Sequence, residues 1–286
     1  MDLEGGGIVS GQLLKETDNT LWLDIGVEVL KLSKDKAFIR EGQENTAPRE
    51  THSASGEKTA PPRKRQSVEA WVDSLGKGVV EIHSRSGQGS GFILSEDGLV
   101  MTNYHVIAGD RELTVTVFQQ EQGTLQRTLY KNIRILASDP KRDLALLKIM
   151  DELEAPLIPL AFGSANDMKT GETVFAIGSP LGLDRTVSRG IVSLSDRIID
   201  GQVYLQATAQ INPGNSGGPL FNLKGEVIGV NTLKLMRVGI EGMGFAVPVE
   251  SVQLFLDKRN AYAFDPLNPN TGFHYMNPPR KTNTLP

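Results

Sequence analysis

Three short stretches carry residue types that together could transfer an acyl group. The first is Gly214-Asn215-Ser216-Gly217-Gly218-Pro219-Leu220. A serine hydroxyl is a poor nucleophile near neutral pH, so it needs a neighbouring base and a site for the developing oxyanion. Glycines around Ser216 let the backbone turn tightly, and the N–H groups of Gly214 and Ser216 are the expected oxyanion donors. The second stretch is Thr102-Asn103-Tyr104-His105-Val106-Ile107, where His105 follows an apolar run and supplies an imidazole base. The third is Asp143-Leu144-Ala145-Leu146-Leu147-Lys148. An aspartate at the edge of such a run is shielded from water and can orient an imidazole. Each stretch alone has a plainer reading: a glycine-rich hairpin turn, a structural histidine, and a strand-start aspartate in a turn with Asp139-Pro140.

The combination is more specific than any member. Its chain order is His105, Asp143, Ser216, the order of the chymotrypsin arrangement; subtilisin runs Asp, His, Ser. Residues 214–218 also satisfy the G-x-S-x-G elbow of α/β-hydrolases, whose acid and histidine follow the serine. Only His274 follows Ser216, and it lies in a tail rich in Asn and Pro. Alternating strand and helix patterns are also missing, which disfavours that rival.

The elements that must position these groups read mostly as short strands. A helix is expected over 68–75, because Val68, Trp71, Val72 and Leu75 fall on one helical face. Strands are expected over 79–82, 91–94, 99–102, 113–118, 131–137, 144–149, 173–177, 186–194, 204–208, 227–232 and 244–247. Short strands at this spacing suggest a sandwich or barrels rather than βα units. The 30 glycines fit many tight turns.

Around this bulk, at 68–256, lie three further regions. Residues 1–40 read as a small all-β unit with a hairpin turn at Thr17-Asp18-Asn19. Residues 41–67 read as a polar, Pro-containing linker, and the Arg63-Lys64-Arg65 run is a solvated linker end rather than a binding patch. Residues 257–286 are expected to be irregular.

Composition excludes several classes. With 34 acidic and 30 basic residues, nothing points to a nucleic-acid or membrane partner. No apolar run approaches the roughly 18 residues that span a bilayer. The start, Met1 to Gly11, does not read as a secretory signal. There are no cysteines, which rules out disulfides and thiolate sites, and four histidines make a metal cluster improbable. The chemistry needs no metal or organic cofactor.

The motifs resemble the HtrA (Deg) family of serine proteases. Besides the three stretches above, the resemblance rests on Gly89-Ser90-Gly91-Phe92-Ile93-Leu94, Ala176-Ile177-Gly178-Ser179-Pro180-Leu181-Gly182, Gln210-Ile211-Asn212-Pro213 and Gly244-Phe245-Ala246-Val247-Pro248. It implies an all-β, chymotrypsin-like pair of six-stranded barrels with the site between them. Here that domain would follow a small β unit and a linker. The resemblance also implies endoproteolysis of unfolded or misfolded protein, an extracytoplasmic location, and assembly as homotrimers. Trp71 is either an assembly contact or part of a helix packed on its own barrel. The stretch after Pro248 is too short for the PDZ domain that usually follows, so peptide capture by such a domain is not expected. In this fold the primary pocket lies beside the segment before the serine and the strand after it. Those are Gln210, Ile211 and Asn212, and Val230, Asn231 and Thr232. Gln210 stands where a trypsin-type pocket places an acid, so cleavage after small or medium aliphatic residues is expected. The alternative is a chaperone or scaffold with a resting site activated by a ligand. The 233–243 loop, with Arg237, Gly239 and Gly242, is then either a switch element or an ordinary hairpin loop.

Overall fold

The computed structural model describes residues 2–3, 12–16, 19–24, 29–34, 37–38, 63–85, 87–110, 112–121, 124–178, 186–233, 243–259, 262 and 264. These fall into two compact units, one centred on the N-terminal strands and one on residues 66–197 and 204 onward. In the first, the strands are β1 (Asp2–Leu3), β2 (Gln12–Glu16), β3 (Thr20–Asp24), β4 (Val29–Ser33) and β5 (Ala37–Phe38). β2, β3 and β4 form an antiparallel sheet, and β1 pairs with β5. Leu21, on β3, is fully buried. Glu16 faces Leu21 across the expected turn, of which 17 and 18 lie outside the described residues, as does most of the expected linker.

The second unit opens with α1 (Val68–Gly76), where the helical spacing places it. Ser67 caps it by accepting from the Ala70 N–H at 3.4 Å. Val68 and Leu75 are buried on its inner face. Trp71 packs on the turn at Leu223 and Gly225: its indole N–H donates to Leu223 O at 2.8 Å. The ring lies so close to Gly225 that a Cβ there would sit 2.9 Å from it.

Next come β6 (Val79–His83), β7 (Gln88–Ile93), β8 (Leu99–Thr102), the one-turn α2 (Tyr104–Ile107), β9 (Thr114–Glu121), β10 (Thr124–Tyr130), β11 (Ile133–Asp139) and β12 (Leu144–Ile149). They make one curled seven-stranded sheet in the order β10-β9-β6-β7-β8-β12-β11. Apolar side chains from its inner face meet in one core that includes Val80, Ile93, Val115 and Leu147. The sheet has one strand more than the six expected, because the polar stretch 124–130 returns along β9 as β10.

The second half is β13 (Thr173–Gly178), β14 (Thr186–Ile199), β15 (Gln202–Ala207), β16 (Pro219–Asn222), β17 (Val227–Thr232) and β18 (Gly244–Pro248). These six close into a barrel in the order β13-β14-β15-β18-β17-β16, as expected. Closure leaves no free edge, and Val174, Val192, Leu205, Ile228 and Ala246 fill the interior. α3 (Val249–Asp257) follows, burying Val249, Val252 and Phe255. The expected irregular tail then begins with a docked segment. Tyr262 O accepts from the Ser138 N–H at 2.9 Å, and the Phe264 N–H donates to Leu136 O at 3.0 Å. Among the described residues no helix is long and apolar enough to cross a membrane.

Candidate active site

His105 stands on α2, directly after β8 and behind Asn103 at the helix N-cap. Strand β8 is anchored between β7 and β12, so the helix start is held by a fully paired strand. Asp143 occupies the last position of the turn before β12. Its backbone is left-handed, with φ of 60°. Such a conformation is uncommon outside glycine, though aspartate tolerates it better than most, and it persists where its surroundings enforce it.

The enforcement is visible. Asp139 Oδ1 accepts from the backbone N–H groups of Lys141 and Arg142 at 3.0 and 3.1 Å. Its Oδ2 pairs with Arg142 Nη1 at 2.9 Å, and the same nitrogen donates to the Tyr262 hydroxyl at 3.0 Å. Both charged side chains are buried. Asn103 Nδ2 then donates to the Asp143 carbonyl at 2.8 Å.

Ser216 lies in the turn before β16. Gly214 and Gly217 flank it with φ of 105° and 83°, values open to glycine and costly for other residues. The Ser90 N–H donates to Ser216 O at 2.8 Å, and the Ser90 hydroxyl donates to Gly214 O. The N–H groups of Asn215, Gly217 and Gly218 are taken up by Asn212 O, Asn231 O and Asn215 O. Among the described residues, the N–H groups of Gly214 and Ser216 have no acceptor. They are the two expected to face an oxyanion.

The three side chains meet. Ser216 Oγ is 2.7 Å from His105 Nε2, and His105 Nδ1 is 2.8 Å from Asp143 Oδ2. A carboxylate only accepts, so the ring proton lies on Nδ1 and Nε2 is free to accept from the serine. Asp143 Oδ1 also accepts from the His105 backbone N–H at 3.0 Å, and Oδ2 from the Thr232 hydroxyl at 2.6 Å. Asp143 is 1 % exposed, whereas the His105 side chain is 36 % exposed and faces a cleft of about 480 Å³. Gln88, Tyr104, Pro213 and Leu233 line that cleft beside His105 and Ser216.

The residues expected beside the primary pocket, Gln210, Ile211, Asn212, Val230, Asn231 and Thr232, are not among those lining the cleft around His105 and Ser216. Ile211 belongs to the second-barrel core, and Val230, Asn231 and Thr232 are buried in β17. Asn231 Nδ2 donates to Pro219 O at 3.0 Å, so it ties β17 to β16. Gln210 and Asn212 are exposed. The 234–242 part of the expected switch loop, and 179–182 of the motif that begins at Ala176, lie outside the described residues.

Two contributors were not anticipated. The Thr232 hydroxyl supports the aspartate, and Asn103 Oδ1 accepts from Ser216 Oγ at 3.1 Å. Asn103 was legible only as part of its motif, since its contacts need residues far along the chain. Among the described residues, no three His, Cys, Asp or Glu are grouped to hold a metal ion.

The chain is similar to several known proteins. The trypsin-like peptidase domain family matches residues 89–230. A probable periplasmic serine endoprotease DegP-like from Hahella chejuensis is 44% identical over 167 residues, covering 57% of this chain and 33% of its own length. The like-named protein of Pseudomonas putida is 43% identical over 166 residues, covering 57% and 32%. The chain thus spans about a third of these curated relatives. The crystal structure of Deg5 aligns with a TM-score of 0.55 at 35% identity, covering 66% of this chain and 93% of Deg5.

Proposed function

The chain belongs to the Deg (HtrA) family of trypsin-like serine proteases, and we propose that it is a serine endopeptidase acting through Ser216, His105 and Asp143. The observation that carries this reading is the unbroken hydrogen-bonded line from Ser216 Oγ through the imidazole to the buried Asp143 carboxylate.

Ser216 Oγ attacks the scissile carbonyl while its proton passes to His105 Nε2. Asp143 holds the ring in the accepting tautomer and stabilises the imidazolium that forms. The tetrahedral oxyanion takes the N–H groups of Gly214 and Ser216, a contribution of about 3 kcal/mol per donor. Collapse breaks the C–N bond, and His105 returns the proton to the leaving amine. Water then adds to the acyl-enzyme by the same route, releasing the acid and restoring Ser216. None of these steps calls for a metal or cofactor.

The substrates we propose are unfolded or misfolded polypeptides, cleaved after small or medium aliphatic residues. Gln210, in place of an acid, offers no counter-charge to Lys or Arg. The names of the relatives point to an extracytoplasmic setting.

The test is Ser216→Ala against unfolded casein, with fluorophosphonate labelling in parallel. Wild-type protein should cleave and label, and the variant should do neither while keeping its melting temperature. Undiminished proteolysis by the folded variant would overturn the assignment.

A further inference from the structure

Ser216 Oγ carries one proton but has two acceptors within reach. His105 Nε2 is at 2.7 Å and Asn103 Oδ1 at 3.1 Å. The Leu233 N–H approaches the same oxygen as a donor at 3.2 Å. One hydroxyl hydrogen serves one acceptor well, so the state of the imidazole decides which.

With a neutral ring, the hydroxyl donates to Nε2, and among the described residues Asn103 Oδ1 is left without a donor. Asn103 is 0% exposed, so that unpaired oxygen has no access to water. With a protonated ring, Nε2–H donates to Ser216 Oγ and the hydroxyl turns to Asn103 Oδ1. Ser216 Oγ, His105 Nε2 and Asn103 Oδ1 are then all paired. The orientation of the amide is not free, because its nitrogen donates to the Asp143 carbonyl at 2.8 Å, which leaves oxygen facing Ser216.

Resting on the serine-peptidase reading above, we propose that Asn103 is a second acceptor for the Ser216 hydroxyl and sets the pH at which the site becomes competent. It favours the protonated, unreactive arrangement, in which the serine proton points away from its base. Among the described residues, Asp143 is the one charged side chain bonded to His105. The turn carrying it also bears Lys141 and the mutually paired Asp139 and Arg142, and Asp110 follows α2.

The experiment is the second-order rate of fluorophosphonate labelling from pH 4 to 9, together with kcat/KM on a peptide, for wild type, Asn103→Ala and Asn103→Asp. Loss of the acceptor should move the acid limb of the alanine variant to lower pH by roughly half to one unit. The aspartate variant keeps an acceptor and adds charge, so its acid limb should move to higher pH. Both variants give up the amide donor to the Asp143 carbonyl, so each is measured beside a thermal melt, and Asn103→Ser, which keeps a hydroxyl acceptor, is run where either fails to fold.

Unchanged midpoints with a uniform loss of rate would overturn the proposal and leave Asn103 a scaffold residue. Labelling of wild type that persists in Ser216→Ala, or no labelling at any pH, would overturn the serine-peptidase reading and this proposal with it. Ser216-dependent labelling with unmoved midpoints would overturn this proposal alone.

Discussion

Changing Asp143 to asparagine alters one atom and should nearly abolish turnover. The geometry dictates which carboxylate oxygen becomes nitrogen. Oδ1 accepts from the His105 backbone N–H at 3.0 Å, a donor that cannot reverse. Oδ1 must therefore stay oxygen, and the new NH2 group takes the Oδ2 position, 2.8 Å from His105 Nδ1. The Thr232 hydroxyl at that position can rotate from donating to accepting, so it does not oppose the swap. The amide N–H then donates to Nδ1, which drives the ring proton to Nε2. There it points at Ser216 Oγ, and the base can no longer accept. A wrong tautomer of this kind costs on the order of 10⁴ in kcat, about 5 kcal/mol of barrier. KM should move little, since Asp143 is buried behind the imidazole. The assay is steady-state hydrolysis of a fluorogenic peptide beside a thermal melt. A folded Asp143→Asn protein keeping a tenth of wild-type kcat would refute the reasoning.

Two further outcomes follow from packing. A Cβ at Gly217 would sit 2.3 Å from both Ser90 O and Thr102 Oγ1, at a backbone φ of 83°. Gly217→Ala should therefore cost roughly 3 kcal/mol or more, read as a drop on the order of 10 °C in melting temperature. Arg142→Met removes the partner of the buried Asp139 carboxylate. It should lose about 3–5 kcal/mol in denaturant unfolding, and adding Asp139→Asn should recover a large part of that.

Much of the candidate site is legible in the sequence because each group of the proposed triad carries its own local signature. Glycines surround Ser216, an apolar run precedes His105, and another follows Asp143. What escapes is whatever depends on register between distant segments. Thr232 follows the serine at a pocket-forming position, yet its register on β17 turns its hydroxyl towards Asp143. Val230 and Asn231 are likewise buried in β17. The elements fail for related reasons. β10 is polar, with Leu129 half exposed, so its alternation is weak. β16 is four residues long and opens on Pro219. The apolar run of β18 continues without a break into α3, and period alone does not separate the two. The seventh strand of the first sheet follows from the β10 case.

The docking of Tyr262 and Phe264 bears on where this chain can be safely cut or joined. β11 is the outermost strand of the first sheet, and a bare outermost strand is a template on which other chains can add. Tyr262 and Phe264 occupy that role from within the same molecule, one of them taking the carbonyl of Leu136, at the irregularity in the β11–β12 pairing. A fusion or truncation placed after Pro248, where the barrel itself is complete, would strip this cover. It would also remove the hydroxyl partner of Arg142. The smallest well-behaved catalytic unit therefore ends beyond Phe264, not at the last barrel strand.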